Sequence, residues 1–259
     1  MSAGDDQYAD LAAEYHWLHD PLSLRVGTRT PGVQATIARL ADGARVLDAA
    51  CGIGVDTLSL HRRGFRVTAT DASASMVDEC RRRLAAEDAP VPVLACRWAD
   101  LPDRFGPVFD AVLCTGNSLA HAPSAIARRE ALAAFAEVLL PGGILILDSQ
   151  DWGVVHAAGS YHDADPLVVT RAGARCRRTF DWRVPEEFGE PVVLEITLFV
   201  DGEPHSSHEV VFRPFATDEL VEDVEAAGFG AIDVVQIPGD DGYAVTAIRK
   251  AKSPGVGDA

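Results

Sequence analysis

The sequence predicts an α/β chain: a doubly wound, mostly parallel sheet of seven strands that carries an antiparallel β insertion. Three observations lead there. Between residues 44 and 148, short apolar runs alternate with helical stretches, the pattern of successive βαβ units. Those runs lack polar alternation, as strands do when helices cover both sheet faces. Residues 151–215 differ, with β-like runs separated by turn residues such as Asp201-Gly202 and no long helix between them.

Taken in order, residues 5–41 read as two helical pieces broken near Asp20-Pro21. The first runs from Tyr8 to His19 and the second from Pro31 to Leu40. Arg45 to Asp48 is the first strand, followed by the Gly52/Gly54 turn and a helix from Val55 to Arg63. Phe65 to Thr70, closed by Asp71, is the second strand, and a helix from Ser73 to Ala86 follows. Val91 to Cys96 and Phe109 to Cys114 are the next strands. A helix from Ala125 to Leu140 is expected to stop at Pro141-Gly142-Gly143, before a fifth strand from Ile144 to Leu147. The insertion supplies Val168 to Thr170, Cys176 to Val184, Val192 to Val200 and Ser207 to Phe212. Thr217 is then expected to cap a helix reaching Ala227. Ala231 to Ile237 and Tyr243 to Arg249 complete the main sheet. The expected organisation is a helical lid (1–42), a ligand-binding core (43–150), an insertion that roofs the acceptor site (151–215), a C-terminal helix with two strands (216–250) and a disordered tail (251–259).

Composition narrows the function. A chain of 259 residues, 47% hydrophobic, is long enough to bury a large core. Its net charge of −16 repels phosphate backbones and anionic lipid, which argues against nucleic-acid and membrane partners. Met1 to Asp10 is polar and acidic, with no secretory pattern, and no apolar run approaches the roughly 20 residues of a membrane helix. The five cysteines show no C-x-x-C spacing, which suits a reduced cytoplasmic protein, and no spacing suggests a metal site. Oligomeric state is left open.

The chemistry concentrates in Val46-Leu47-Asp48-Ala49-Ala50-Cys51-Gly52-Ile53-Gly54. Strand, glycine turn and helix make a nucleotide-type site, because small residues let a ligand approach the backbone. The dinucleotide fingerprint G-x-G-x-x-G is absent, since Thr57 holds its third position. Asp48 would repel a pyrophosphate and suits a cationic ligand, such as the ammonium and sulfonium of S-adenosylmethionine (SAM). Asp71, 23 residues later at the end of the second strand, matches an acid that accepts hydrogen bonds from two ribose hydroxyls. His121 is a candidate general base. Tyr8, Tyr15 and Trp17 are candidate lid residues, with Tyr15 placed at the acceptor. Trp152, Tyr161, Trp182 and Tyr243 are candidate pocket walls, because aromatic faces attract cations. The lid rings equally suit core packing, and for each of the four pocket rings taken alone core packing is the better reading.

The runs D-A-A-C-G-I-G at 48–54, T-D-A-S at 70–73, A-D-L-P at 99–102, F-D-A-V at 109–112 and L-L-P-G-G at 139–143 resemble the class I SAM-dependent methyltransferases. Val46 to Asp56 and Gly116 to His121 are particularly similar to the glycine and glycine/sarcosine N-methyltransferase group. The resemblance implies a Rossmann-like methyltransferase fold, SAM as cofactor and a small-molecule acceptor. It implies that Asp48, Ala50, Gly52 and Gly54 surround the methionine part, that Asp71 takes the ribose, and that Ala72, Met76, Trp98 and Asp100 frame the adenine. Thr115, Asn117 and His121 would lie near the sulfonium and acceptor, and Arg25 or Arg29 would contact the cofactor carboxylate. Where glycine-methylating enzymes carry an arginine for the substrate carboxylate, this chain has Gln150, followed by Asp151-Trp152. A neutral amide cannot form that bidentate ion pair, which makes glycine a poor acceptor and places Gln150 and Trp152 at a different substrate. Transfer to an amine nitrogen is the first reading. An O- or C-methyltransferase of a larger metabolite, a nicotinamide-dependent oxidoreductase and a non-enzymatic nucleotide-binding module stay open.

Overall fold

The computed structural model describes residues 6–19, 24, 27, 30–163, 168–236 and 241–251. Five strands, β1 (Arg45–Asp48), β2 (Arg66–Asp71), β3 (Val93–Ala95), β4 (Phe109–Cys114) and β5 (Leu139–Gln150), run parallel. Helices α1 (Pro31–Ile37), α2 (Val55–Arg62), α3 (Ala74–Ala86), α4 (Leu101–Arg104) and α5 (Ala125–Val138) precede or connect them. After α6 (Trp152–Ala158) the chain enters a second, antiparallel sheet: β6 (Tyr161–Asp163), β7 (Val169–Arg171), β8 (Ala174–Arg183), β9 (Val192–Val200) and β10 (Glu203–Phe212). It returns through α7 (Thr217–Ala226) to β11 (Phe229–Gln236) and β12 (Gly242–Arg249). The main sheet reads β11-β12-β5-β4-β1-β2-β3, with β12 antiparallel to β5 and β11 antiparallel to β12. Strand order reverses between β1 and β4, so the carboxyl ends of those two strands frame the crevice where ligands bind on such sheets.

Alternate residues of the central strands feed two cores. Val46, Ala111, Leu113 and Ile146 pack with Val33 and Ile37 of α1 on one face. Leu47, Val112, Leu145 and Leu147 pack with Phe135 of α5 on the other. Both faces are buried, which is the physical reason the strands show no polar alternation. Full burial of each of the Val, Leu, Ile and Phe side chains among them contributes about 1.5–3 kcal/mol. The inner face of β9, Val192, Leu194, Ile196 and Leu198, joins the second of these cores. The insertion therefore shares the hydrophobic interior of the main sheet.

Several local expectations are corrected. Residues 8–19 do not form one α-helix; bonds of the i→i−3 kind dominate, such as Trp17 N–H to Glu14 O at 2.8 Å, and a 3₁₀ turn spans Tyr15–Leu18. Its side chains are anchored to separate partners, and tertiary contacts override helix propensity there. The helix expected to reach Leu140 ends at Val138, and β5 begins at Leu139, so that Pro141-Gly142-Gly143 lies within the strand. Pro141 disfavours the helical conformation at Leu140, and the paired register of β4 and β5 shifts there. The cap of α7 is Ala216, not Thr217, with no side-chain cap bond. The short α6 was not foreseen. Asp151 caps it through Oδ1, accepting from the N–H groups of Gly153 at 3.0 Å and Val154 at 3.3 Å. The tail from 252 and Ile237 lie outside the described residues. Among the described residues, no helix is long and apolar enough to cross a membrane.

Candidate active site

Asp48 ends β1 at the strand-order reversal and is 1% exposed. Its Oδ2 accepts the Thr57 hydroxyl at 2.6 Å, while Oδ1 is buried with no hydrogen-bond partner among the described residues. Burial first, then the neighbouring Asp56 carboxylate, pushes Asp48 up to about 7, and the Thr57 and Ala50 contacts offset this only in part. A buried carboxylate oxygen without a partner fits a ligand that brings positive charge or a hydrogen-bond donor.

The turn after β1 is pinned by backbone bonds, Ala49 N–H to Leu113 O at 2.8 Å and Cys51 N–H to Thr70 O at 3.0 Å. Gly54 has φ +80°, and a Cβ there would meet Cys80 Sγ at 2.7 Å, so glycine is what lets α2 approach α3. Gly52 has φ +49°, yet a Cβ built on it meets nothing within 4 Å. That open space beside a backbone turn is a cradle for a ligand. Asp71 closes it from β2. Its Oδ2 accepts Gly52 N–H at 2.8 Å and its Oδ1 accepts Ser73 N–H at 2.9 Å. Burial raises the Asp71 pKa in spite of these bonds.

The remaining residues expected at the cofactor are spread around this turn. Ala50 is half-buried and Ala72 exposed. Met76, 2% exposed, packs with Ala12, Leu24 and Ile53 beneath Tyr8 and Tyr15. Trp98 donates from Nε1 to Ala49 O at 2.7 Å and stands edge-on to Phe135. Asp100 is turned outward, 3.8 Å from Arg97 with its side chain 58% exposed. Thr115, buried at the end of β4, donates to Asp56 Oδ2 at 2.9 Å. Arg25 and Arg29 lie outside the described residues.

On the acceptor side, Asn117 sits at φ +58° and staples β4 to β5. Its N–H donates to Asp148 Oδ1 at 2.9 Å, and its Oδ1 accepts both the Ser149 hydroxyl and Gln150 N–H at 3.2 Å. His121 Nδ1 lies 3.0 Å from Val211 O and Nε2 lies 2.7 Å from the Tyr8 hydroxyl. Gln7 Nε2 also lies 2.9 Å from Nδ1; with Nδ1–H donated to the carbonyl, Nε2 accepts from Tyr8, and with Nδ1 accepting from Gln7, Nε2–H donates to Tyr8. Burial lowers His121 to about 4, which keeps the imidazole neutral. Its ring stacks on Phe212 at 4.7 Å, and Phe212 lies 5.3 Å from Trp152 and 6.0 Å from Trp182. Trp182 in turn stacks on Tyr161 at 5.9 Å. Tyr243 is fully buried beneath this region. Tyr15 meets Tyr8 edge-on at 5.9 Å, and burial, aided by the Asp71 charge, pushes its hydroxyl up to about 12.

Residues missed from sequence hold the N-terminal segment over this cleft. Asp6 Oδ2 accepts the Ser73 hydroxyl at 2.7 Å, and Gln7 Oε1 accepts Val211 N–H at 2.8 Å. Glu14 accepts from His208 at 2.9 Å, from His205 at 3.0 Å and from Ser206. Arg178 donates to Trp17 O at 2.9 Å and Arg171 to His19 O at 2.8 Å. Polar residues scattered through a short segment carry no periodic signal, and none of them is marked in the sequence.

Comparison with known proteins shows the family. Residues 46–143 match the family model described as a methyltransferase domain. The chain is 36% identical over 172 residues to glycine N-methyltransferase of Rattus norvegicus, an alignment that spans 60% of this chain and 57% of that one. It is 36% identical over 187 residues to glycine/sarcosine N-methyltransferase of Aphanothece halophytica, with 67% of this chain and 68% of that one covered. The fold matches an amino pentose methyltransferase of Micromonospora echinaspora, solved with SAM bound, with a TM-score of 0.71 at 21% identity, covering 93% of this chain and 96% of that one. The chain thus spans little more than half the length of its rat relative, and two thirds of its bacterial one. It belongs to the SAM-dependent methyltransferases.

Proposed function

We propose that this chain transfers the methyl group of SAM to an amine nitrogen of a small molecule. The observation that carries the cofactor half is the unpartnered, buried Asp48 Oδ1 beside the open cradle at Gly52. When bound, SAM supplies a methyl group on a positively charged sulfur. In this reading Asp48 meets the cofactor's positive charge, Gly52 and Gly54 let it lie against the backbone, and Asp71 accepts from the ribose hydroxyls. Ala50, Thr115 and Asn117 border the methionine side, and Ala72, Met76 and Trp98 the adenine, with Asp100 at its solvent edge.

The choice of nitrogen rests on His121. A hydroxyl acceptor needs a base, and an imidazole held neutral down to about pH 4, with Nε2 engaged by the Tyr8 hydroxyl, is a weak one. The surroundings of His121 therefore favour a positioning role for it. An amine that arrives unprotonated attacks unaided, and the proton of the resulting ammonium leaves to solvent. The chain's own share is to orient the acceptor and exclude water, the latter through Tyr8 and Tyr15 above the cleft.

Incubation with methyl-labelled SAM and a panel of amines and alcohols tests this directly. Labelled amines are the expected products, and label in hydroxyl compounds alone would refute nitrogen transfer. Thermal stabilisation by SAM and by its demethylated product, but not by NADH, is expected. The opposite pattern would favour an oxidoreductase.

A further inference from the structure

Two free thiols meet beneath the cofactor cradle and take no part in the chemistry above: Cys51, in the turn after β1, and Cys80, in α3. Both belong to one packing cluster, with Leu58 and Val77 around them. The Cys80 thiol lies within hydrogen-bonding reach of Cys51 and, ahead of burial, raises the Cys51 pKa; the Asp48 and Asp71 carboxylates add to the rise. A Cβ on Gly54 would stand 2.7 Å from Cys80 Sγ, so that sulfur also lies directly against the glycine turn.

The two thiols differ in access. Cys51 is 6% exposed, and its Sγ lies 3.6 Å from the carbonyl oxygen of Gly52, whose open side forms the cradle. Cys80 is wholly buried behind it. An oxidant therefore meets Cys51 first. With hydrogen peroxide, the Cys51 thiolate attacks one peroxide oxygen, breaks the O–O bond and becomes a sulfenic acid, with release of water. The Cys80 sulfur then displaces the hydroxyl from that sulfenic acid, forming the S–S bond and a second water. Two thiols lose two electrons in all, and one peroxide gains them. Because Cys51 is held protonated, the first step is slow in the closed turn and proceeds when the turn opens.

We propose that Cys51 and Cys80 form a reversible disulfide that weakens cofactor binding, and that bound cofactor in turn blocks its formation. This rests on the placement of SAM at the Gly52 cradle in the reading above. Disulfide sulfurs stand about 2.05 Å apart, nearer than two thiols in contact. Cys80 belongs to a continuous helix of 13 residues, so the turn is the part that moves. That turn is held by Gly52 N–H on Asp71 Oδ2 at 2.8 Å and Cys51 N–H on Thr70 O at 3.0 Å. Drawing Cys51 toward α3 displaces the backbone under the cofactor together with its contact to Asp71. A cofactor lying in the cradle covers the side from which Cys51 is reached.

The test treats the full chain with hydrogen peroxide, with and without SAM, and maps its cysteines by alkylation, digestion and mass spectrometry. A cross-link between the Cys51 and Cys80 peptides is expected, and dithiothreitol should reverse it. SAM at about ten times its Kd should slow the cross-link about tenfold, as for a reaction that proceeds only from the unliganded chain. By calorimetry the oxidised chain should bind SAM at least about tenfold more weakly than the reduced chain, a loss that dithiothreitol restores. Cys80→Ala should form no cross-link and stop at a Cys51 sulfenic acid, trapped by dimedone. Absence of the Cys51–Cys80 cross-link in the native chain would overturn the pairing. A cross-link that forms equally fast with SAM bound, or an oxidised chain with undiminished affinity, would overturn the link to the cofactor. A reduced chain that binds no SAM would instead overturn the reading on which the proposal rests.

Discussion

Asp71 and His121 face the same cleft but are held by different means. Asp71 is fixed by backbone N–H groups 19 and 2 positions away, within one strand–turn–helix unit. His121 is fixed by Tyr8, 113 positions away, and by Val211, 90 positions away. The cofactor half is thus a local construction whose geometry follows from one stretch of chain. The acceptor half exists only once the N-terminal segment and the insertion have both docked. A rigid shared half with an assembled variable half is the arrangement expected where one reaction serves many substrates.

Substitutions in the local half should produce the largest effects. Gly52→Val puts a β-branched residue at positive φ and fills the cradle, and Asp71→Ala removes the proposed ribose contact. Each is expected to weaken SAM binding at least about a hundredfold by calorimetry, consistent with loss of charge-assisted bonds of roughly 1.5–3 kcal/mol together with misplacement of the turn. Unchanged far-ultraviolet dichroism would show that the fold survives. Near-native affinity in both would break the assignment of this half.

Next comes Asp48, whose pKa is raised from 3.8 unfolded to about 7 folded. Because the folded chain holds the proton more tightly, the associated stability is present below pH 3.8 and is lost as pH rises through about 7. The span corresponds to on the order of 4 kcal/mol. Asp48→Asn should therefore gain several degrees in Tm over the native chain between pH 5 and pH 8, with little difference at pH 4. SAM binding near pH 7 should release protons, read as a dependence of the calorimetric heat on buffer ionisation. A pH-independent Tm difference would place the effect elsewhere.

The assembled half should respond more gently. Tyr8→Phe deletes one hydrogen bond to His121, a net change of about 0.5–1.5 kcal/mol, and should lower kcat/KM by up to tenfold while SAM affinity changes less. Equal loss in both parameters would mean that Tyr8 serves the cofactor. The smallest effect is expected from Glu14→Gln. Burial raises Glu14, but bonds from Ser206 and His208 outweigh it and leave its pKa below 4.5. The stability it gives is present above that value and fades as pH falls through it. The variant should lose about 1 kcal/mol or less at pH 7, a difference that shrinks as pH falls below 4.5, by chemical denaturation.

What the sequence reveals follows the same division. The Val46-to-Gly54 run and Asp71 are readable because strand, turn and helix are adjacent in the chain, and the bounds of β4 and β9 come out as expected from apolar runs alone. The end of α5 is misjudged because Pro141-Gly142-Gly143 signals a helix stop equally well as a kink within a strand. Asp6, Gln7 and Glu14 escape notice since their partners are 67 to 204 positions distant and no local pattern marks them. The departure at Gln150 is visible in the letters.

The segment over the cleft has a dynamic consequence. Residues 6–19 bury Leu11, Ala12 and Trp17, pack Tyr8, Tyr15 and Leu18 against the core, and hold the rest of the molecule largely through polar bonds. Peeling it away exposes less apolar area than separating a central strand such as β1 or β4, so it is expected to open before them. Its amides should exchange with deuterium well before those of β1 and β4, and loading with cofactor should slow them selectively.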